Sequence, residues 1–228
     1  MNDVKENNNG TSSLTIKTVK DVMENIIKRR KFSLVFPEFP DQDALWLICS
    51  KVMEPKLIIL ASRPGLGKTT LALHMLCYIA IAESIPSALF SLEMDAYHIG
   101  LRLLSLAKTE ELSKAPIIIV DEPNMSISKI HSRIQYLVSE DSVKTVFIDY
   151  LGLIHGDEEL SRKEQITEIR KSLKNMAREL GVSIVALEQI SRESKNIQRD
   201  LEIISLGADT VFLLDGESGN LLVKTIKG

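Results

Sequence analysis

The chain has 228 residues, 44% of them hydrophobic and 26% charged, a globular balance rather than a disordered one and a length that suits one α/β domain. Net charge is −3 and the pI about 5.9, without the basic excess of a protein that grips duplex DNA by its backbone. No apolar run approaches the roughly twenty residues that span a bilayer, and MNDVKENNNG has no apolar signal region, so no membrane contact and a soluble, cytoplasmic protein are expected.

Residues 1–13, rich in Asn, Ser and charge, are expected to be a disordered tail. From Thr15 to Arg30, Ile16, Val19, Val22, Met23, Ile26 and Ile27 fall at three- and four-residue spacings, which predicts an amphipathic helix. The prolines of KFSLVFPEFP stop it and read as a linker, so 14–54 is taken as helix plus connecting segment and 55–228 as the globular domain. Within that domain, apolar runs Lys56–Ala61, Ser87–Leu92, Pro116–Val120, Thr145–Asp149, Ser183–Leu187 and Thr210–Leu214 alternate with helical stretches. The runs are continuous, as strands buried on both faces must be. Arg162–Leu180 carries Ile166, Ile169, Leu173, Met176 and Leu180 on one helical stripe. This alternation predicts a mostly parallel sheet with helices on both faces. Cys49 and Cys77 lie in apolar surroundings without metal-ligand spacing and read as reduced core thiols.

ASRPGLGKTT, residues 61–70, follows the apolar run Leu57–Leu60 and precedes the helical LALHMLCYIAIA. That is the context of a P-loop, in which backbone N–H groups and a helix N-terminus wrap phosphates. The cradle would run through Ser62, Arg63, Pro64, Gly65, Leu66, Gly67, Lys68, Thr69 and Thr70. Gly65 and Gly67 allow the tight path, Lys68 reaches the β and γ phosphates of ATP, and Thr69 can ligate magnesium. Ser62 stands where the first glycine is usual. VFIDYLGLI, residues 146–154, ends its apolar run in Asp149, a carboxylate that can face Mg2+ beside Thr69. By itself it is also an ordinary strand-end aspartate.

Glu93 follows the strand in FSLEM, where a glutamate can deprotonate an attacking water; as a bare residue it reads equally as a solvated carboxylate. Gln189 in ALEQISR could contact the γ-phosphate, although alone it reads as a loop residue. All four sites sit at strand ends, where open parallel sheets bind ligands. His155 reads as a solvated loop histidine, and His74, His98 and His131 sit in helical patterns without metal-ligand spacing. Arg162, Lys163, Arg192, Lys195 and Arg199 could touch a nucleic-acid backbone but read individually as solvated surface.

ASRPGLGKTTLAL, FSLEM, the ISKIHSRI helix before VFIDYLGLI, SRKEQITEIRKSLKNMARELGV and ALEQISR together resemble, in that order, the motor domain of DnaB-type replicative helicases from about Pro55 to Asp215. The resemblance implies a RecA-like fold and ATP hydrolysis driving movement along single-stranded DNA. It also implies a homo-oligomer, up to a hexameric ring. It assigns phosphate binding to Lys68 and Thr69, the catalytic base to Glu93, the magnesium aspartate to Asp149 and the γ-phosphate sensor to Gln189. The Thr15–Arg30 helix is similar to the family's linker helix, which docks on a neighbouring subunit.

Several positions depart from the pattern. No counterpart of the family's N-terminal helical domain is expected, and Leu104–Lys114 and the loop after Arg192 are short. Gly152 replaces a polar residue, and Ile226 stands where a K-x-R pair that begins at Lys224 has its arginine. In the family that pair reaches the next subunit's ATP. The alternative reading is therefore a regulatory or loader-like accessory subunit that binds ATP without unwinding DNA.

Overall fold

A computed structural model of the chain describes residues 16–28, 45, 48–194, 196–217 and 220–228. Six strands built from the apolar runs lie parallel at the centre of one sheet: β2 (Leu57–Ser62), β3 (Ser87–Ser91), β4 (Ile117–Val120), β5 (Thr145–Asp149), β6 (Ser183–Gln189) and β7 (Thr210–Glu217). Two antiparallel strands flank them, β1 (Ile16–Thr18) on β4 and β8 (Asn220–Lys227) on β7, giving the order β1-β4-β3-β5-β6-β2-β7-β8.

Successive residues of the central strands enter two separate cores, because side chains alternate across a strand. Ile58, Leu60, Leu89, Phe147 and Val185 face the layer of α1 (Val19–Lys28), α2 (Lys68–Cys77), α3 (Ala96–Leu106) and α4 (Thr109–Lys114). Leu57, Ile59, Phe90, Ile148 and Ile184 face α5 (Ile127–Asp141), α6 (Arg162–Glu179) and α7 (Ile197–Gly207). Phe90 and Phe147 are among the largest side chains fully removed from solvent. Truncating either to alanine would cost about 3–5 kcal/mol.

Local signals set the helix ends. Ser161 and Glu164 form a reciprocal capping box at α6, Asp95 caps α3, and Asn196 accepts the Arg199 N–H at α7. The helix expected over 15–30 is found as α1, over Val19–Lys28, because Thr18 and Asp21 build a capping box there. Ile16–Thr18 ahead of it is instead a strand. Val19, Val22 and Met23 of α1 are buried against α3 and α4 of the same chain. Ile48, Cys49 and Val52 join the same core, so packing extends ahead of residue 55. The 1–13 tail and most of the 29–47 connection lie outside the described residues. Cys49 and Cys77 are free and buried; burial pushes both thiols up to about 12.

Candidate nucleotide-binding site

β2 stops at Ser62 and α2 starts at Lys68, leaving a loop whose Gly65 and Gly67 both adopt φ of +83°. L-residues with a Cβ rarely adopt that conformation, so the loop path depends on these two glycines. Gly67 is the N-cap of α2 and makes no side-chain cap hydrogen bond to the first-turn N–H groups, and such groups at a helix start favour an anion.

Lys68 is 8% exposed, and its Nζ donates to Ser62 Oγ at 2.9 Å and towards the Ser62 carbonyl at 3.5 Å. The Ser62 hydroxyl in turn donates to the Arg63 carbonyl at 2.7 Å. The departure from glycine at this position thus holds the lysine at the loop. Burial lowers the Lys68 pKa, and the charges of Asp149 and Glu93 oppose that shift.

Asp149 ends β5 at 5% exposure and accepts the Thr69 hydroxyl at 2.7 Å. Burial raises its pKa, against the Thr69 hydrogen bond and the nearby charges of Lys68 and Arg102; the Glu93 charge adds to the rise. Hydroxyl and carboxylate oxygens are hard donors suited to magnesium, which binds through one or two protein ligands plus phosphate oxygens. The hydroxyl of Thr69 and the carboxylate of Asp149, side by side at the phosphate loop, fit that mode.

Glu93 is exposed just beyond β3, and two bonds shape its turn. Leu92 N donates to the Asp149 carbonyl at 2.9 Å, and Ser91 Oγ donates to the Met94 carbonyl at 2.6 Å. Ser91 also pairs in register with Asp149, which places Glu93 beside the carboxylate. Gln189 ends β6, the strand between those of Asp149 and the phosphate loop, and pairs in register with Ser62. The next N–H, of Ile190, donates to the Ser62 carbonyl at 2.9 Å. Lys68, Thr69, Glu93, Asp149 and Gln189 therefore converge at one end of the sheet.

Several other residues singled out in the sequence are engaged elsewhere. Arg162 donates to the carbonyls of Gly152 and Ile154 at 2.8 and 3.0 Å and to Gln165, so it pins the loop after β5. His155 Nε2 lies 3.4 Å from Asn124 Oδ1, His98 pairs with Asp95 and His131 with Glu179. Lys195 lies outside the described residues. Sequence reading missed Arg102, whose charge acts on Asp149 from α3, and the buried Arg170–Glu188 pair beside Gln189. A lone arginine on an amphipathic helix carries no signal of either role.

The fold and the phosphate loop define a RecA-like P-loop nucleotide-binding domain. Residues 47–109 and 106–205 match the family model described as the DnaB-like helicase C terminal domain, and the chain belongs to that family. It is 37% identical over 189 residues to the replicative DNA helicase DnaB of Treponema pallidum (strain Nichols), covering 70% of this chain and 43% of that protein. A solved ATPase domain matches with a TM-score of 0.63 at 27% identity, covering 76% of this chain and 78% of the other. The structure of a DnaB-like replicative helicase described with its interactions with primase matches with a TM-score of 0.60 at 26% identity, covering 77% and 56%. The chain spans less than half the length of the curated relatives it matches. Among the described residues no helix is long and apolar enough to cross a membrane.

Proposed function

We propose that this chain is the motor domain of a replicative helicase, binding ATP with Mg2+, hydrolysing it and acting on single-stranded DNA as a homo-oligomer. The observation that carries the reading is the hydrogen-bonded Thr69–Asp149 pair set beside the buried Lys68 at the mouth of a glycine-built loop. The loop N–H groups and Lys68 would hold the nucleotide phosphates, and Thr69 with Asp149 would hold a magnesium ion that, when bound, would supply charge neutralisation to them. Glu93 accepts a proton from the water that attacks the γ-phosphorus; the bond to the bridging oxygen breaks, leaving ADP and phosphate. Gln189 hydrogen-bonds the γ-phosphate from the end of β6.

A second reading, a regulatory or loader-like ATP-binding subunit that unwinds nothing, draws support from the last strand. Lys224 is paired with Asp215 at 2.8 Å and Ile226 stands at the arginine position. ATPase rates with and without single-stranded DNA, measured beside the oligomeric state, separate the two readings.

Lys68→Ala tests the site itself. It removes the one buried cation of the cradle and should weaken ATP binding at least about tenfold, the worth of one hydrogen bond to a charged group. A titration with a fluorescent ATP analogue showing unchanged affinity would overturn the assignment.

A further inference from the structure

Arg170 sits within α6 at 4% exposure, turned toward the sheet. Its Nη2 donates to Glu188 Oε1 at 3.0 Å and its Nη1 donates to the Ile203 carbonyl at 3.1 Å. Glu188 immediately precedes Gln189 on β6, and Ile203 belongs to α7. One guanidinium thus fastens the strand that ends at Gln189 to the helix that begins at Ile197. The stem is seated as well: a Cβ on Gly207, at the end of α7, would lie 3.1 Å from Arg170 Cβ and 3.2 Å from its Cδ.

Packing does not account for the pair. Burying two ions costs desolvation that their attraction offsets only when the remaining hydrogen-bonding groups are also met. Here Glu188 Oε2 and Arg170 Nε find no partner among the described residues. A cavity of about 540 Å³ lies against the pair, lined also by Ile166, Thr167, Ser191 and Ser194. Apolar side chains of similar volume would fill the same place at equal or better stability. What apolar side chains cannot do is span two acceptors on separate elements, which the planar fork of arginine does.

We propose that Arg170 and Glu188 are positioning residues that tie Gln189 to α7, so that a change at the γ-phosphate moves residues 190–194 and α7 together. The inference rests on the proposed reading of Gln189 as the γ-phosphate contact. A displacement of Gln189 carries the adjacent Glu188, the guanidinium follows its carboxylate, and the Ile203 carbonyl transmits the movement into α7. Ser194 donates to Asp200 and closes the loop onto the same helix, so loop and helix shift as one body.

The test uses the full chain and its Arg170→Met/Glu188→Leu double variant, with amide hydrogen exchange followed before and after adding ATP and magnesium. In the parent, ATP should change protection in both residues 190–194 and α7. The double variant should unfold at a temperature no lower than the parent and bind ATP with the parent's affinity, yet show no ATP-dependent change in α7. Its turnover at saturating ATP should fall about tenfold with KM unchanged, the worth of one charge-assisted hydrogen bond. Arg170→Lys provides a second variant that keeps the charge but cannot bridge both acceptors, and it should lose the α7 response too. A full α7 response in either variant, or no α7 response in an ATP-binding parent, overturns the inference. A parent that binds no ATP overturns the proposed function instead, and the inference falls with it.

Discussion

The Thr69 hydroxyl donates to Asp149 Oδ2 at 2.7 Å, although the two residues are 80 positions apart in the chain. Each is delivered by a buried element, Thr69 by the first turn of α2 and Asp149 by the last residue of β5. Their contact gathers the two protein oxygens best suited to magnesium within reach of Lys68, whose charge acts on Asp149.

Asp149→Asn removes the negative charge facing the ion and keeps the shape. The magnesium concentration needed for half-maximal nucleotide binding should rise about tenfold. Magnesium titrations of ATP-analogue affinity on both proteins check it, and superimposable curves would remove Asp149 from the metal-facing role.

Glu93→Gln leaves the phosphate cradle in place, since Glu93 is an exposed residue on the turn after β3, outside both the loop and α2. ATP affinity should stay near the parent value while turnover falls by about 10²-fold or more, the usual worth of a positioned general base. Single-turnover hydrolysis measured beside equilibrium binding distinguishes the two effects. Parent-like turnover would make Glu93 a surface carboxylate.

Asp209 joins the start of β2 to α6 and to the entry of β7. Its Oδ2 accepts the Leu57 N–H at 3.0 Å, its own N–H donates to the Leu57 carbonyl at 2.9 Å, and Lys174 and Arg178 reach Oδ1 at 2.8 and 3.2 Å. Burial alone would raise its pKa; hydrogen bonds from Lys174 and Leu57 and the two cationic charges outweigh it, so the carboxyl sits below its ordinary 3.8. A depressed folded-state pKa gives stability that is complete above the unfolded value and lost as pH falls through the folded one. Asp209→Asn should therefore cost about 2 kcal/mol at neutral pH, and the gap should close on acidification below about pH 4. Denaturant unfolding of both proteins across pH measures it; a gap that stays constant down to the acid limit would contradict the ionic origin.

Neither lysine of the last strand is free. Lys224 pairs with Asp215, and Lys227 Nζ donates to the Ser205 and Ala208 carbonyls at 2.8 and 2.6 Å, closing the end of α7. Lysine is also a point charge without the bidentate fork that stabilises a phosphoryl transition state. Intrinsic ATPase should accordingly be slow while ATP binding is intact. Ile226→Arg should raise the rate toward the roughly 10³-fold contribution of an arginine finger, and only where subunits associate. ATPase assays paired with light-scattering masses check this; no rise in a confirmed oligomer would locate the limitation elsewhere.

The phosphate loop and the parallel core were legible because their determinants are local. Gly65, Gly67, Lys68 and Thr69 are nearly contiguous, and a glycine-dependent turn between an apolar run and a helix has few other solutions. Continuous runs such as Ile117–Val120 exclude a half-exposed strand, so the layered architecture follows from pattern alone. Glu93, Asp149 and Gln189 could be picked out as strand-end residues, but only the order β3-β5-β6-β2 brings them to one place. Ile16–Thr18 is too short to display a strand period, and its pairing with Val120 is decided by a partner about a hundred residues away. The amphipathic pattern of α1 required an apolar neighbour without naming it, and tertiary packing supplied α3 and α4 of the same chain. The use of Ser62 to hold Lys68, the charge of Arg102 on Asp149 and the span of Arg170 from Glu188 to Ile203 had no trace in the sequence, because hydrogen bonds and charge act over a few ångströms and only the folded chain sets those separations.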